Sequence, residues 1–157
     1  MSKNNQGARH PGGGHGGGQC QVITRPEEMT FPYKLTLPDG KVIGFEYLQG
    51  DPSKPGPYTL RASLPPHATQ APHFHHRDEY GVVISGTYYT GDGNVVDEDV
   101  DPLPVGAFGF IPAMCHHYAF TKDEPAVVQV HGEGPWEMIV VDPGGNPVGE
   151  PVTLPPR

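Results

Sequence analysis

Proline and glycine interrupt this chain so often that a long helix has nowhere to form. Twenty prolines and 22 glycines are spread over 157 residues, and a proline inside a helix removes a hydrogen bond and clashes with the preceding turn. No stretch shows a convincing 3.6-residue apolar period. Between the interruptions lie short runs rich in Val, Ile, Tyr, Phe and Thr, which is strand composition. So much glycine and proline also occurs in disordered chains. Here, however, seven of the glycines fall in the first 20 residues, and the rest punctuate the runs.

The runs come in order. FPYKLTL (31–37) and KVIGFEYLQ (41–49) flank Pro38-Asp39-Gly40, a hairpin signal. YTLRASLP (58–65) alternates as a half-buried strand does. APHFHH leads into EYGVVISGTYYTGDG (79–93), which closes on a tight Gly-Asp-Gly turn. PVGAFGFIPA (104–113), HYAFT (117–121), AVVQVHG (126–132) and WEMIVVD (136–142) follow. The acidic DEDVD (97–101) is expected on the surface, and the last residues, from Pro143, are expected to be irregular. Roughly eight to ten short strands with turns between them predict an all-β sandwich or barrel. One domain over 21–157 is expected, after a tail over 1–20. That tail has almost no apolar side chains, and so reads as disordered. Its GGGHGGGQC piece offers His15 and neighbouring amides to copper, or is a plain flexible linker.

Charge and cysteine usage narrow the partners. All 18 acids lie after residue 20, with only eight of the ten basic residues, so that part carries a net −10. Such a surface repels phosphate backbones, and nucleic acid is not an expected partner. Cys20 and Cys115 provide no disulfide framework, which points to a reduced, cytoplasmic compartment. The N-terminus has no apolar signal core, and no run is long enough to span a membrane as a helix. The edge strands of a small β-barrel need cover, so a homodimer is expected, with FPYKLTL as a candidate dimer strand.

The chemistry concentrates in HFHHRDEYGVVISG, residues 73–86. His73 and His75 are two apart and share a face of a strand. Glu79 follows four residues after His75, and a short turn at Arg77-Asp78 returns it to the same point. Two imidazoles and a carboxylate suit one divalent transition metal, Fe, Mn, Ni, Cu or Zn, and are too rich in nitrogen for Ca or Mg. About thirty residues on, Gly106, Pro112 and His117 form a second spaced set, and an antiparallel strand there brings His117 opposite the first three ligands.

These two stretches resemble the two motifs of the cupin superfamily. The first matches at His73, His75, Glu79 and Gly86, the second at Gly106, Pro112 and His117. The second departs at Met114, where a glycine is usual, and at Thr121, where an asparagine is usual. VVQVHGEGPWEMIVVD, with GTYYTGDG, resembles small single-domain cupins akin to the cupin half of zinc anti-sigma factors. The resemblance implies an all-β double-sheet jelly roll whose barrel mouth holds one metal through His73, His75, Glu79 and His117.

The neighbouring residues have other assignments. Alternation sends His76 to the opposite face from His75. His116 competes with His117, and the spacing favours His117. Cys115 reads as a small buried residue before it reads as a thiolate ligand. His131 either lines the cavity as a catalytic proton relay or is a structural histidine. Tyr80, Tyr88, Phe108, Phe110 and Trp136 are expected in the barrel core. A mononuclear metal dioxygenase of a small chelating molecule is the leading functional expectation, with Glu79 as ligand or base. A metal-assisted isomerase or lyase, and a zinc-stabilised sensor without activity, are the alternatives.

Overall fold

The computed structural model describes residues 20–157. The tail and its His15 copper site lie outside the described residues, apart from Cys20, which is exposed. Eleven strands and one 3₁₀ turn (Pro26–Glu28) make up the regular structure of the described residues: β1 (Tyr33–Thr36), β2 (Val42–Gln49), β3 (Gly56–Leu64), β4 (Thr69–Phe74), β5 (Glu79–Ser85), β6 (Tyr89–Asp92), β7 (Phe108–Ile111), β8 (His117–Phe120), β9 (Ala126–Gly134), β10 (Glu137–Val140) and β11 (Val152–Thr153). They form a six-stranded sheet, β1-β2-β3-β9-β5-β7, and a five-stranded sheet, β11-β10-β4-β8-β6. Every pairing is antiparallel. This is the double-sheet jelly roll expected from the sequence.

Alternation along β3 shows how the core forms. Tyr58, Leu60, Ala62 and Leu64 are buried, and their neighbours are half-buried. They pack with Ile43, Phe45 and Tyr47 of β2, and with Trp136 and Met138 near β10. Each large apolar side chain removed from water contributes roughly 1.5–3 kcal/mol before entropy is counted. The first hairpin closes as its PDG turn predicts, with Gly40 at φ +83° and the Leu37 amide on the Lys41 carbonyl at 2.7 Å.

The aromatic expectations divide. Trp136 is buried, and Tyr88 packs against the core. Phe108 and Phe110 are not core residues: they are 66% and 51% exposed. The reason is topological. β7 is an edge strand paired only with β5. Its alternate residues Phe108 and Phe110 fall opposite Val82 and Tyr80, on the outer face of the sheet. Strand alternation was legible there, but which of the two faces looks outward was not.

The usual glycine of the second motif is replaced by Met114, and the backbone there keeps the conformation a glycine would favour, φ +66°. At the other departure, Thr121 is 3% exposed. Its hydroxyl donates to the Pro65 carbonyl at 2.6 Å and accepts the Ala68 amide at 3.0 Å. It pins the β3–β4 connection to the end of β8. Gly86, at φ +71°, passes so close to the Pro125 carbonyl that a side chain would collide with it.

Candidate metal centre

β4 and β8 carry the histidines. His73 stands directly opposite His117 in the β4–β8 register. A bulge between Gln70 and His73, at the point where Pro72 has no amide to give, shifts the register just before the histidines. His75 follows immediately after β4 and is held by two contacts. Its carbonyl accepts the Met114 amide at 2.8 Å, and its Nδ1 meets the Glu137 carbonyl at 2.6 Å. Asp78 accepts the Ala113 amide at 2.7 Å. The β4–β5 turn and the β7–β8 loop are therefore tied together, which brings His117 to the other histidines.

His73, His75 and His117 converge, each presenting a ring nitrogen within 4.8 Å of the others. All three are buried, at 2%, 6% and 5% exposure. The hydrogen bonds fix which nitrogen is free. His73 Nδ1 lies 2.6 Å from the Ala71 carbonyl, and His117 Nδ1 lies 3.0 Å from the Cys115 carbonyl. A carbonyl only accepts, so each Nδ1 carries the proton and donates it. Each Nε2 is left with a lone pair, in the tautomer and orientation that metal-binding histidines have. Burial, helped by the neighbouring histidines, holds the His73 imidazolium well below the usual range. Burial also lowers that of His117. Imidazole nitrogens facing one another gain nothing for a core; a cation gives them a common partner.

Glu79 begins β5 and is 8% exposed. Its Oε2 lies 3.2 Å from His75 Nε2. Its Oε1 accepts the Trp136 indole N–H at 2.7 Å and the Tyr58 hydroxyl at 3.1 Å. Two donors on one oxygen turn the other toward the histidines. Burial, and then the charge of Glu79, pushes the Tyr58 phenol far up, so it stays a donor. The three imidazole nitrogens fit a divalent transition metal by the chemistry of their donors, and Glu79, which is not among the ligand atoms lying within 4.8 Å of one another, adjoins them through His75. Tyr58 and Trp136 carry no motif spacing. Their role became visible only once β3 and the segment before β10 were packed beside β5.

The structure does not bring the other candidates into this group. His76 is exposed and pairs with Glu137 at 3.1 Å. His116 meets Asn94 Oδ1 at 2.6 Å and stacks on Phe74. The Cys115 thiol is pushed up by burial and by Asp92, away from the thiolate. His131 is exposed and lies opposite Tyr80 in the register, stacked on its ring at 4.9 Å. Its neighbour Gly132 is the residue opposite inward-facing Glu79. His131 is therefore on the outer face of the sheet, and a relay in the cavity is not available to it.

The histidines and Glu79 line a cavity of about 330 Å³. Leu60, Leu64, Val83, Leu103, Val128 and Val130 supply much of its wall.

Comparison with solved structures identifies the fold. An RmlC-like cupin protein from Ralstonia eutropha JMP134 superposes with a TM-score of 0.60 at 12% identity, over 86% of this chain and 78% of that one. The chain has a cupin fold. A putative acetylacetone dioxygenase from Methylibium petroleiphilum PM1 matches with a TM-score of 0.57 at 15% identity, over 82% of this chain and 86% of that one. KdgF from a Halomonas species matches at 0.54 and 17%, over 71% and 94%. No protein-family model matches the chain, and no curated protein matches it. Among the described residues, no helix is long and apolar enough to cross a membrane.

Proposed function

We propose that this cupin is a mononuclear metal enzyme acting on a small chelating molecule, a dioxygenase of a diketone- or catechol-like substrate. One observation carries the reading: three buried histidines, each latched through Nδ1 to a backbone carbonyl, aim their Nε2 lone pairs at one point beside Glu79. The fold likeness to a putative acetylacetone dioxygenase supports the reaction class. His73, His75 and His117 hold the metal, and Glu79 completes the set or accepts a substrate proton. A bound divalent ion supplies Lewis acidity and, for Fe, Mn, Ni or Cu, a route for electrons. The chain supplies the rest. Trp136 and Tyr58 hold the Glu79 carboxylate in place, and the aliphatic wall keeps water from the reacting groups.

The proposal extends to a cytoplasmic homodimer. β1 is a free edge of the larger sheet, which suits pairing with a second copy.

The first test is elemental analysis of untagged protein beside a His73→Ala/His75→Ala control, followed by oxygen uptake with chelating substrates. About one Fe, Mn, Ni or Cu per chain, lost in the control and accompanied by oxygen consumption, is the expected result. Turnover under strict anaerobiosis instead favours isomerase or lyase chemistry. Zinc alone, with no turnover, favours a structural or sensor role. No metal in either protein overturns the site.

A further inference from the structure

The charges around the cavity narrow the substrate. Among the described residues, no lysine or arginine lines it. Beyond the histidines, the lining residues that carry polar side-chain atoms are Gln70, Glu79, Tyr80, Tyr88, Thr90, Asp92 and Trp136. Thr90 is occupied, its hydroxyl donating to the Tyr118 carbonyl at 2.7 Å. Glu79 is occupied by Trp136, Tyr58 and His75. Burial and the charge of Glu79 keep the Tyr88 phenol protonated. The remaining acid is different. Asp92 ends β6 directly opposite His117 in the register, so it faces the cavity from the same side of the sheet as that histidine. It is exposed. Among the described residues its hydrogen-bond partner is the Cys115 thiol, at 4.0 Å, and no lysine or arginine forms an ion pair with it. A negative charge with no cation beside it thus stands at the cavity mouth.

We propose that the site takes small oxygen chelators that are uncharged in solution and excludes carboxylates, and that Asp92 is the specificity-determining residue. The inference rests on the metal-site reading above. One divalent ion, the Glu79 carboxylate and the Asp92 carboxylate leave the site with no net charge to attract an anion. A carboxylate ligand meets Asp92 without a basic side chain to offset the repulsion. At an effective dielectric of about 20, like charges a few ångströms apart reduce binding by a factor of ten or more. A neutral ligand that releases at most one proton on reaching the metal escapes most of that penalty. The cavity, about 330 Å³, is at the small end of the roughly 300–1,000 Å³ typical of small-molecule sites. Its aliphatic wall favours a compact apolar body.

Acetylacetone and malonate make a matched pair of probes. They have the same length and form the same six-membered chelate, but malonate is a dianion. Calorimetric titration of the nickel-loaded protein, wild type and Asp92→Asn, reads the binding of each. The wild type is expected to prefer acetylacetone. Asp92→Asn should tighten malonate by about tenfold and leave acetylacetone within about twofold. Malonate binding as tightly as acetylacetone to the wild type overturns the proposal. So does an unchanged ratio in the variant, or nickel-loaded protein that ignores acetylacetone. A protein that takes up no nickel overturns the metal-site reading itself, and the two failures are thereby told apart.

Discussion

Replacing Tyr58 with phenylalanine removes one oxygen and tests how the carboxylate is held. The Tyr58 ring is 2% exposed and belongs to the main core, so phenylalanine keeps the packing. What is lost is the 3.1 Å hydrogen bond to Glu79 Oε1. Hydrogen bonds to charged groups contribute about 1.5–3 kcal/mol. The shorter Trp136 bond to the same oxygen, 2.7 Å, survives the change. The loss should therefore fall near the lower end, about 1.5 kcal/mol, or roughly 3–6 °C in Tm for a chain of this size. The Glu79 carboxylate also becomes freer to rotate away from the histidines. Loss of such a supporting contact weakens metal binding by about 10–100-fold, and the surviving indole puts this case near tenfold. Urea unfolding of metal-free protein measures the first quantity. Competition against a zinc chelator measures the second. A cycle with Glu79→Gln shows whether the hydroxyl acts through the carboxylate. If Tyr58→Phe has the same effect with glutamine at 79 as with glutamate, or if metal affinity stays within twofold, the reasoning is wrong.

Two further outcomes are expected. His73 and His117 ionise less readily when folded than when unfolded. Stability of the metal-free protein should therefore be complete above about pH 6.5 and decline as pH falls below it. The decline should reach about 1.4 kcal/mol per pH unit for each histidine. Denaturant midpoints between pH 7.5 and 5 measure the decline, and a flat profile contradicts the assigned neutral tautomers. Met114 is 53% exposed and strained at φ +66°, so Met114→Gly should stabilise the fold by up to about 1 kcal/mol. Thermal unfolding reads that change, and a lower Tm argues that the side chain packs where the structure shows it exposed.

Much of the fold was legible because proline, glycine and period-2 alternation are local signals. β1, β2, β3, β5, β7, β8, β9 and β10 followed from them, while β6 lay in the same run as β5 and was not separated from it. β4 was harder to read. It begins at Thr69, several residues before the histidines, and runs through a proline and a bulge. β11 is two residues long and held only by β10, too short to show any period. His73, His75 and Glu79 were legible from local spacing, since side chains two apart share a strand face and a short turn returns the carboxylate, whereas His117 was reached only through the second spaced set, Gly106, Pro112 and His117. His131 fits the same logic on paper, and its strand does run beside that of Glu79. It is one residue out of phase with Gly132, the residue facing Glu79, and a single residue is the difference between the two faces of a sheet.

The sequence by itself determined that this chain is built of short strands, and that His73 and His75 share a face, because both depend on neighbours a few residues apart; the β4–β8 register brings His117 to them. Only the tertiary structure decided what surrounds them. Tyr58, Trp136 and Asp92 come to the site from 21, 57 and 25 residues away from Glu79 or His117. No local pattern encodes those distances. Sheet register and the packing of one sheet on the other set them, and with them the orientation of the carboxylate and the charge at the cavity mouth.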